Sequence, residues 1–187
     1  MPLSNLRVWR YCHPMALIYY LSTLGSAFGN LMEACSRGGL PMRLIIYIDE
    51  LCPGNPLRPE KSRTLQAIYW AFADWPQHVL QRTAAWPVFG TIRSTLVEKL
   101  PGGVAGFLKR VMLTFFAEVG HNMSRGFTFV KAGGERIIRR AIFAGFLCDE
   151  KAHNQICGNK GASGTPHASV AATHRAHIGV CHRIVAH

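Results

Sequence analysis

Two apolar runs decide the fold of this chain, and each ends in an Asp-Glu pair: Ile45-Ile46-Tyr47-Ile48-Asp49-Glu50 and Ala144-Gly145-Phe146-Leu147-Cys148-Asp149-Glu150. Continuous apolar runs of this length are typical of strands inside a sheet, and the first run predicts a central strand that is buried on both faces. Two carboxylates that meet at the ends of such strands supply the hard oxygen ligands that Mg²⁺ prefers. Asp49 and Asp149 are therefore candidate metal ligands and candidate catalytic residues.

Both acids also have a structural interpretation. Asp149 precedes residues 151–157 and could be the N-cap of a helix there, which Gly158 closes. Asp49 could be a turn residue, because the loop-forming residues 52–56 follow it. The sequence leaves the functional and the structural interpretation open at both positions.

The patterns around the two runs predict an order of elements. Apolar side chains at spacings of three and four predict an amphipathic helix over residues 104–119. The glycines within residues 132–134 predict a hairpin turn. The full prediction is a helix at 15–21, strands at 44–51, 65–74 and 86–89, helices at 92–100 and 104–119, hairpin arms at 127–131 and 136–148, and a last helix after Asp149.

Charge favours a polyanionic partner. The 187-residue chain has 21 Lys and Arg against 10 Asp and Glu, which gives a net charge of +11. Neutralising phosphates releases condensed counterions, so nucleic acid is the expected partner. A biased gene composition would give the same excess of charge without any partner. Trp70, Trp75 and Trp86 could stack bases, although aromatic strand residues more often belong to a core.

We expect an N-terminal helical segment over residues 1–39, a core over 40–158 and a disordered histidine-rich tail over 159–187. The tail holds His174, His177 and Cys181-His182, whose spacing suits zinc, but surface imidazoles are the preferred interpretation. The six cysteines lack any Cys-x-x-Cys spacing, which favours a reducing compartment, nuclear or otherwise intracellular. Residues 14–32 are free of charge, so a membrane anchor in this segment is a competing prediction. The preferred prediction is a protein without membrane contact. The sequence leaves the oligomeric state open.

This order of strands and acids is similar to the first part of the ribonuclease H-like fold of DDE-type transposases and integrases. Residues 44–56 and 143–153 also look like reading frames of repeated eukaryotic mobile elements, and the resemblance covers about residues 38–165. It implies an α/β fold, with a ribonuclease H-like mixed sheet and packing helices. It makes Asp49 and Asp149 the first two ligands of Mg²⁺, with Glu50 and Glu150 as neighbours.

The chain also departs from that family. No acid follows Glu150 to act as the third ligand, and no Cys-x-x-Cys element occurs. The expectation is a C-terminally truncated core, a degenerate and inactive fragment of a Mg²⁺-dependent DNA strand-transfer enzyme. The alternatives are a non-enzymatic basic module that binds nucleic acid and a membrane-associated protein anchored by residues 14–32.

Overall fold

The computed structural model describes residues 9–54, 63–117 and 120–148. These ranges contain five helices, two short 3₁₀ turns at Arg37–Gly39 and Thr83–Ala85, and six strands. The elements are α1 Pro14–Leu24, α2 Ser26–Cys35, β1 Met42–Leu51, β2 Leu65–Phe72, α3 Gln77–Leu80, β3 Val88–Arg93, α4 Ser94–Val97, α5 Gly103–Phe116, β4 Phe127–Val130, β5 Arg136–Arg139 and β6 Ala141–Leu147.

The main sheet has four strands in the order β3-β2-β1-β6. Strands β1, β2 and β3 are antiparallel neighbours, whereas β6 runs parallel to β1 and pairs Leu147 with Tyr47. A parallel pair needs a long crossover, and here α5 and the β4–β5 hairpin lie between the two strands in the sequence. The expected mixed α/β fold is confirmed, and β1 is central as predicted.

One face of the sheet is well buried and the other only half-buried. Ile46 and Ile48 of β1 are almost fully buried, whereas Tyr47 and Asp49, which alternate with them, are half-buried. Helix α5 packs on the buried face, where the rings of Phe115 and Trp70 lie 6.1 Å apart. The expectation that β1 is buried on both faces was therefore wrong for the described residues, because Tyr47 and Asp49 of the second face line an open pocket.

Helices α1 and α2 pack on the β4–β5 hairpin. The buried Ser22 hydroxyl accepts a hydrogen bond from the Val130 backbone N–H at 2.9 Å. Gly29 of α2 approaches the same strand so closely that a Cβ there would lie 2.1 Å from the Val130 carbonyl oxygen. The helix expected at residues 15–21 is confirmed by α1. Among the described residues, no helix has both the length and the apolar character needed to cross a membrane.

Two predicted boundaries were wrong. Residues 136–148 were expected as one hairpin arm, but the chain changes sheets at Arg140: β5 pairs with β4, and β6 pairs with β1. The Arg140 carbonyl accepts the Met42 N–H at 2.8 Å and so begins the parallel ladder. The helix expected from Ile92 begins only at Ser94, because β3 keeps pairing with β2 as far as Arg93. The helix predicted after Asp149 and the histidine-rich tail lie outside the described residues.

Candidate functional site

Asp49 lies near the carboxyl end of β1, opposite Ala67 of β2. Strand alternation places it on the half-buried face together with Tyr47. Its carboxylate makes no hydrogen bond or ion pair with any other residue in the described ranges. A carboxylate placed in this way keeps its oxygen lone pairs available for a cation or another donor.

Glu50 points to the opposite face and is hydrogen-bonded. Its Oε1 accepts from Gln66 Nε2 at 3.3 Å and from Ser94 Oγ at 3.1 Å, and Gln66 also lies 3.2 Å from Ser94. This small network lines a recess of about 300 Å³ that includes Gly103, the first residue of α5. Glu50 therefore joins β1, β2 and α4 on the other side of the sheet from Asp49.

Asp149 and Glu150 lie outside the described residues. The second run that ends in Asp-Glu is described only as far as Cys148. Its Leu147 pairs with Tyr47, and Cys148 is buried. The two runs that end in Asp-Glu are thus neighbouring parallel strands over their described lengths. Within residues 9–54, 63–117 and 120–148, no group of three or more His, Cys, Asp or Glu side chains is placed to hold a metal ion.

A pocket of about 610 Å³ opens on the half-buried face beside Asp49. Three aromatic rings line it. Tyr47 and Tyr69 face each other across the β1–β2 ladder, with ring centroids 5.7 Å apart and planes inclined by 28°. Trp86 meets Tyr47 nearly at right angles, at 6.1 Å and 70°. The tyrosines form a floor and Trp86 a wall, so the pocket has a flat apolar interior.

The wall is fixed by the segment between β2 and β3. Pro76 ends the turn after β2, and its carbonyl accepts the Leu80 N–H at 3.1 Å, which starts the short helix α3. The Leu80 carbonyl then accepts the Trp86 indole N–H at 2.8 Å. Trp86 therefore belongs to a loop over the sheet and not to the predicted strand at 86–89. Trp70 and Trp75 are buried in the core, as the preferred interpretation predicted.

The rim of the pocket carries a positive charge. Arg82 is exposed and forms no ion pair with the rest of the described chain. Lys109 and Arg110 are also exposed, but they lie on α5, which packs on the opposite face of the sheet. In contrast, Arg43 is paired with Asp74 at 3.0 Å.

Comparison of the whole chain with protein-family models, curated proteins and solved structures finds no match.

Proposed function

We propose that this chain is a ribonuclease H-like module that binds DNA and holds a Mg²⁺ ion weakly between Asp49 and Asp149. One observation carries the proposal, namely the parallel pairing of β1 with β6 in which Tyr47 lies opposite Leu147. Each aspartate follows its member of that pair by two residues in the sequence. The strand order β3-β2-β1-β6, with three antiparallel strands and a parallel fourth, supports the same assignment.

The length of chain involved makes a shared ion feasible. Neighbouring strands lie about 4.8 Å apart, and two residues span at most about 7 Å. The length of chain between Leu147 and its aspartate therefore permits the shared ion that we propose. Asp49 contributes a half-buried carboxylate without a partner among the described residues, which is the chemistry that a Mg²⁺ site requires.

Two carboxylates would hold the ion but would not build a two-metal centre. Mg²⁺ bound there would supply Lewis-acid chemistry at a phosphate. In-line phosphoryl transfer with two metal ions needs more anionic ligands than two aspartates. Among the described residues, no third acid lies close enough to form a metal-binding group with Asp49. The proposed module therefore binds DNA without strand-transfer activity of its own.

Calorimetric titration of the full chain with Mg²⁺, in the absence of nucleic acid, tests the metal site. Binding on the order of millimolar is expected for so few ligands, and both Asp49→Asn and Asp149→Asn should abolish it. Glu50→Gln is the matched control, because it removes a neighbouring carboxylate from the opposite face. Binding that survives both aspartate substitutions, or that Glu50→Gln weakens equally, would refute the site.

A second candidate function is nucleic-acid binding by basic side chains without any use of the acids. Exposed Arg82, Lys109 and Arg110, which have no ion-pair partner in the described ranges, favour it. In this case Asp49→Asn would leave the affinity for DNA unchanged or raise it, since a repelling charge is removed. A drop in affinity that appears only when Mg²⁺ is present would instead favour the metal site.

A further inference from the structure

We infer that the pocket beside Asp49 binds an unpaired base of single-stranded nucleic acid, stacked on its aromatic rings, with a neighbouring phosphate at Arg82. The inference rests on the proposed function for its nucleic-acid partner, but it does not require the metal ion. It adds a substrate class, because bases inside a duplex are stacked on each other and enter a pocket only when they are flipped out of the helix.

The shape and lining of the pocket fit a planar ring. Its volume of about 610 Å³ lies within the range of pockets that bury small ligands. Tyr47, Tyr69 and Trp86 are all half-buried, so each keeps part of its ring surface accessible. Aromatic side chains arranged in this way stack bases of any sequence, because every base has a π face.

The rings are held in place before any ligand arrives. Tyr47 and Tyr69 extend from paired positions of two central strands. The indole N–H of Trp86 is fixed by the Leu80 carbonyl at 2.8 Å, and its ring contacts Tyr47. Side chains that are already ordered lose little conformational freedom on binding, so stacking energy is retained as affinity.

Charge orients the ligand. The carboxylate of Asp49 offers only acceptors and, without a cation, repels a phosphate from its side of the pocket. Arg82 lines the same pocket and has no ion pair with other described side chains. Guanidinium groups bind phosphate through several donors at once. A nucleotide in the pocket is therefore expected to place its phosphate at Arg82.

Fluorescence anisotropy with the unmodified full chain gives the decisive comparison. One probe is a labelled single-stranded oligodeoxynucleotide, and the other has the same backbone with abasic residues throughout. Both are titrated at one fixed salt concentration with a chelator present, which removes any contribution from Mg²⁺. The base-containing strand should bind roughly tenfold to hundredfold more tightly, as expected for base–aromatic stacking. Equal affinity for the two strands would overturn the inference.

Variants then locate the preference for bases. Trp86→Leu should lose most of it, while Trp86→Phe should keep part of it. Tyr20→Leu is the matched control, because Tyr20 is 58% exposed on α1. Arg82→Gln should weaken binding more than Lys109→Gln, which removes an equal charge from α5. A Trp86→Leu chain that melts like the unmodified protein and still prefers the base-containing strand would contradict the pocket. If Trp86→Leu does not fold, the abasic comparison decides alone.

Failure of this inference can be told apart from failure of the metal site. The calorimetric titration contains no nucleic acid, and the anisotropy titration contains no free metal ion. A chain that binds Mg²⁺ through Asp49 but does not distinguish the two strands has the metal site without the base pocket. A chain that prefers the base-containing strand but does not bind Mg²⁺ through Asp49 has the base pocket without the metal site.

Discussion

Replacing Gly29 by alanine tests whether helices α1 and α2 are an integral part of the folded core. Gly29 lies in the middle of α2, where alanine is normally favoured over glycine by about 1 kcal/mol. Here the new Cβ would lie 2.1 Å from the Val130 carbonyl oxygen and 3.0 Å from the Lys131 Cα. Both obstructing atoms are backbone atoms, so no change of rotamer can relieve the overlap.

The magnitude follows from the required movement. Ordinary contact begins at 3.4 Å, so α2 or β4 must move by about 1 Å. Overpacking of this kind costs about 1–3 kcal/mol. The shift also stretches the hydrogen bond from the Val130 N–H to Ser22, which contributes about 1 kcal/mol. After the gain in helix propensity, we expect Gly29→Ala to lower the free energy of unfolding by about 2 kcal/mol.

Urea denaturation of both proteins, followed by circular dichroism, measures this difference. Gly25→Ala is the control, because Gly25 has extended backbone angles and no atom lies within 4 Å of its added Cβ. The control should change stability by less than about 0.5 kcal/mol. If Gly29→Ala is as stable as the unmodified chain, or more so, the helices do not pack on β4 as described, and the N-terminal segment is separable from the core.

Three further predictions concern stability and ionisation. Phe115→Ala should cost about 3–5 kcal/mol in urea denaturation, because Phe115 is fully buried; a loss below 1 kcal/mol would contradict its place in the core. Asp74→Asn should cost about 1–3 kcal/mol, because Asp74 accepts the Arg43 N–H at 2.6 Å and the Arg43 Nε at 3.0 Å; an unchanged midpoint would refute this. The pKa of Lys131 is raised by its hydrogen bond with Glu135, so the ion pair should persist below pH 10.5 and be lost as the pH rises through the raised pKa. Glu135→Gln should lower that pKa in an NMR titration, and no change would refute the pairing.

Local patterns were enough to predict elements whose partners lie close in sequence. The spacing of Phe107, Val111 and Phe115 predicted α5 and its buried stripe. The turn at residues 132–134 predicted the pairing of β4 with β5. In both cases the apolar period and the glycine conformations are properties of the segment itself.

Boundaries set by distant residues were not predictable in this way. Nothing local divides residues 136–148, since the break at Arg140 depends on the hydrogen bond from the distant Met42 N–H. Ile92 fitted a helical pattern, but pairing with Gln66 keeps it in β3. Long-range pairing overrides local preference because each strand completes its hydrogen bonds only with a partner.

The candidate site was predicted in part. The position of Asp49 near the end of a central strand followed from the apolar run before it. The aromatic pocket did not, because Trp86 reaches Tyr47 from a loop and its neighbour Pro87 fitted the start of a strand. A tryptophan next to a proline, with an indole N–H in need of an acceptor, is the signal that could have indicated a loop.

The pairing of β1 with β6 also has a consequence for biosynthesis. It joins segments about 100 residues apart, for which loop closure costs about 4 kcal/mol. At about 5–20 residues per second, a ribosome needs roughly 5–20 seconds to make the chain between them. During that interval β1 can pair with β2, but its other edge has no partner. The nascent chain therefore exposes an apolar strand edge, and we expect its yield in cells to depend on chaperones that cover this edge until β6 emerges.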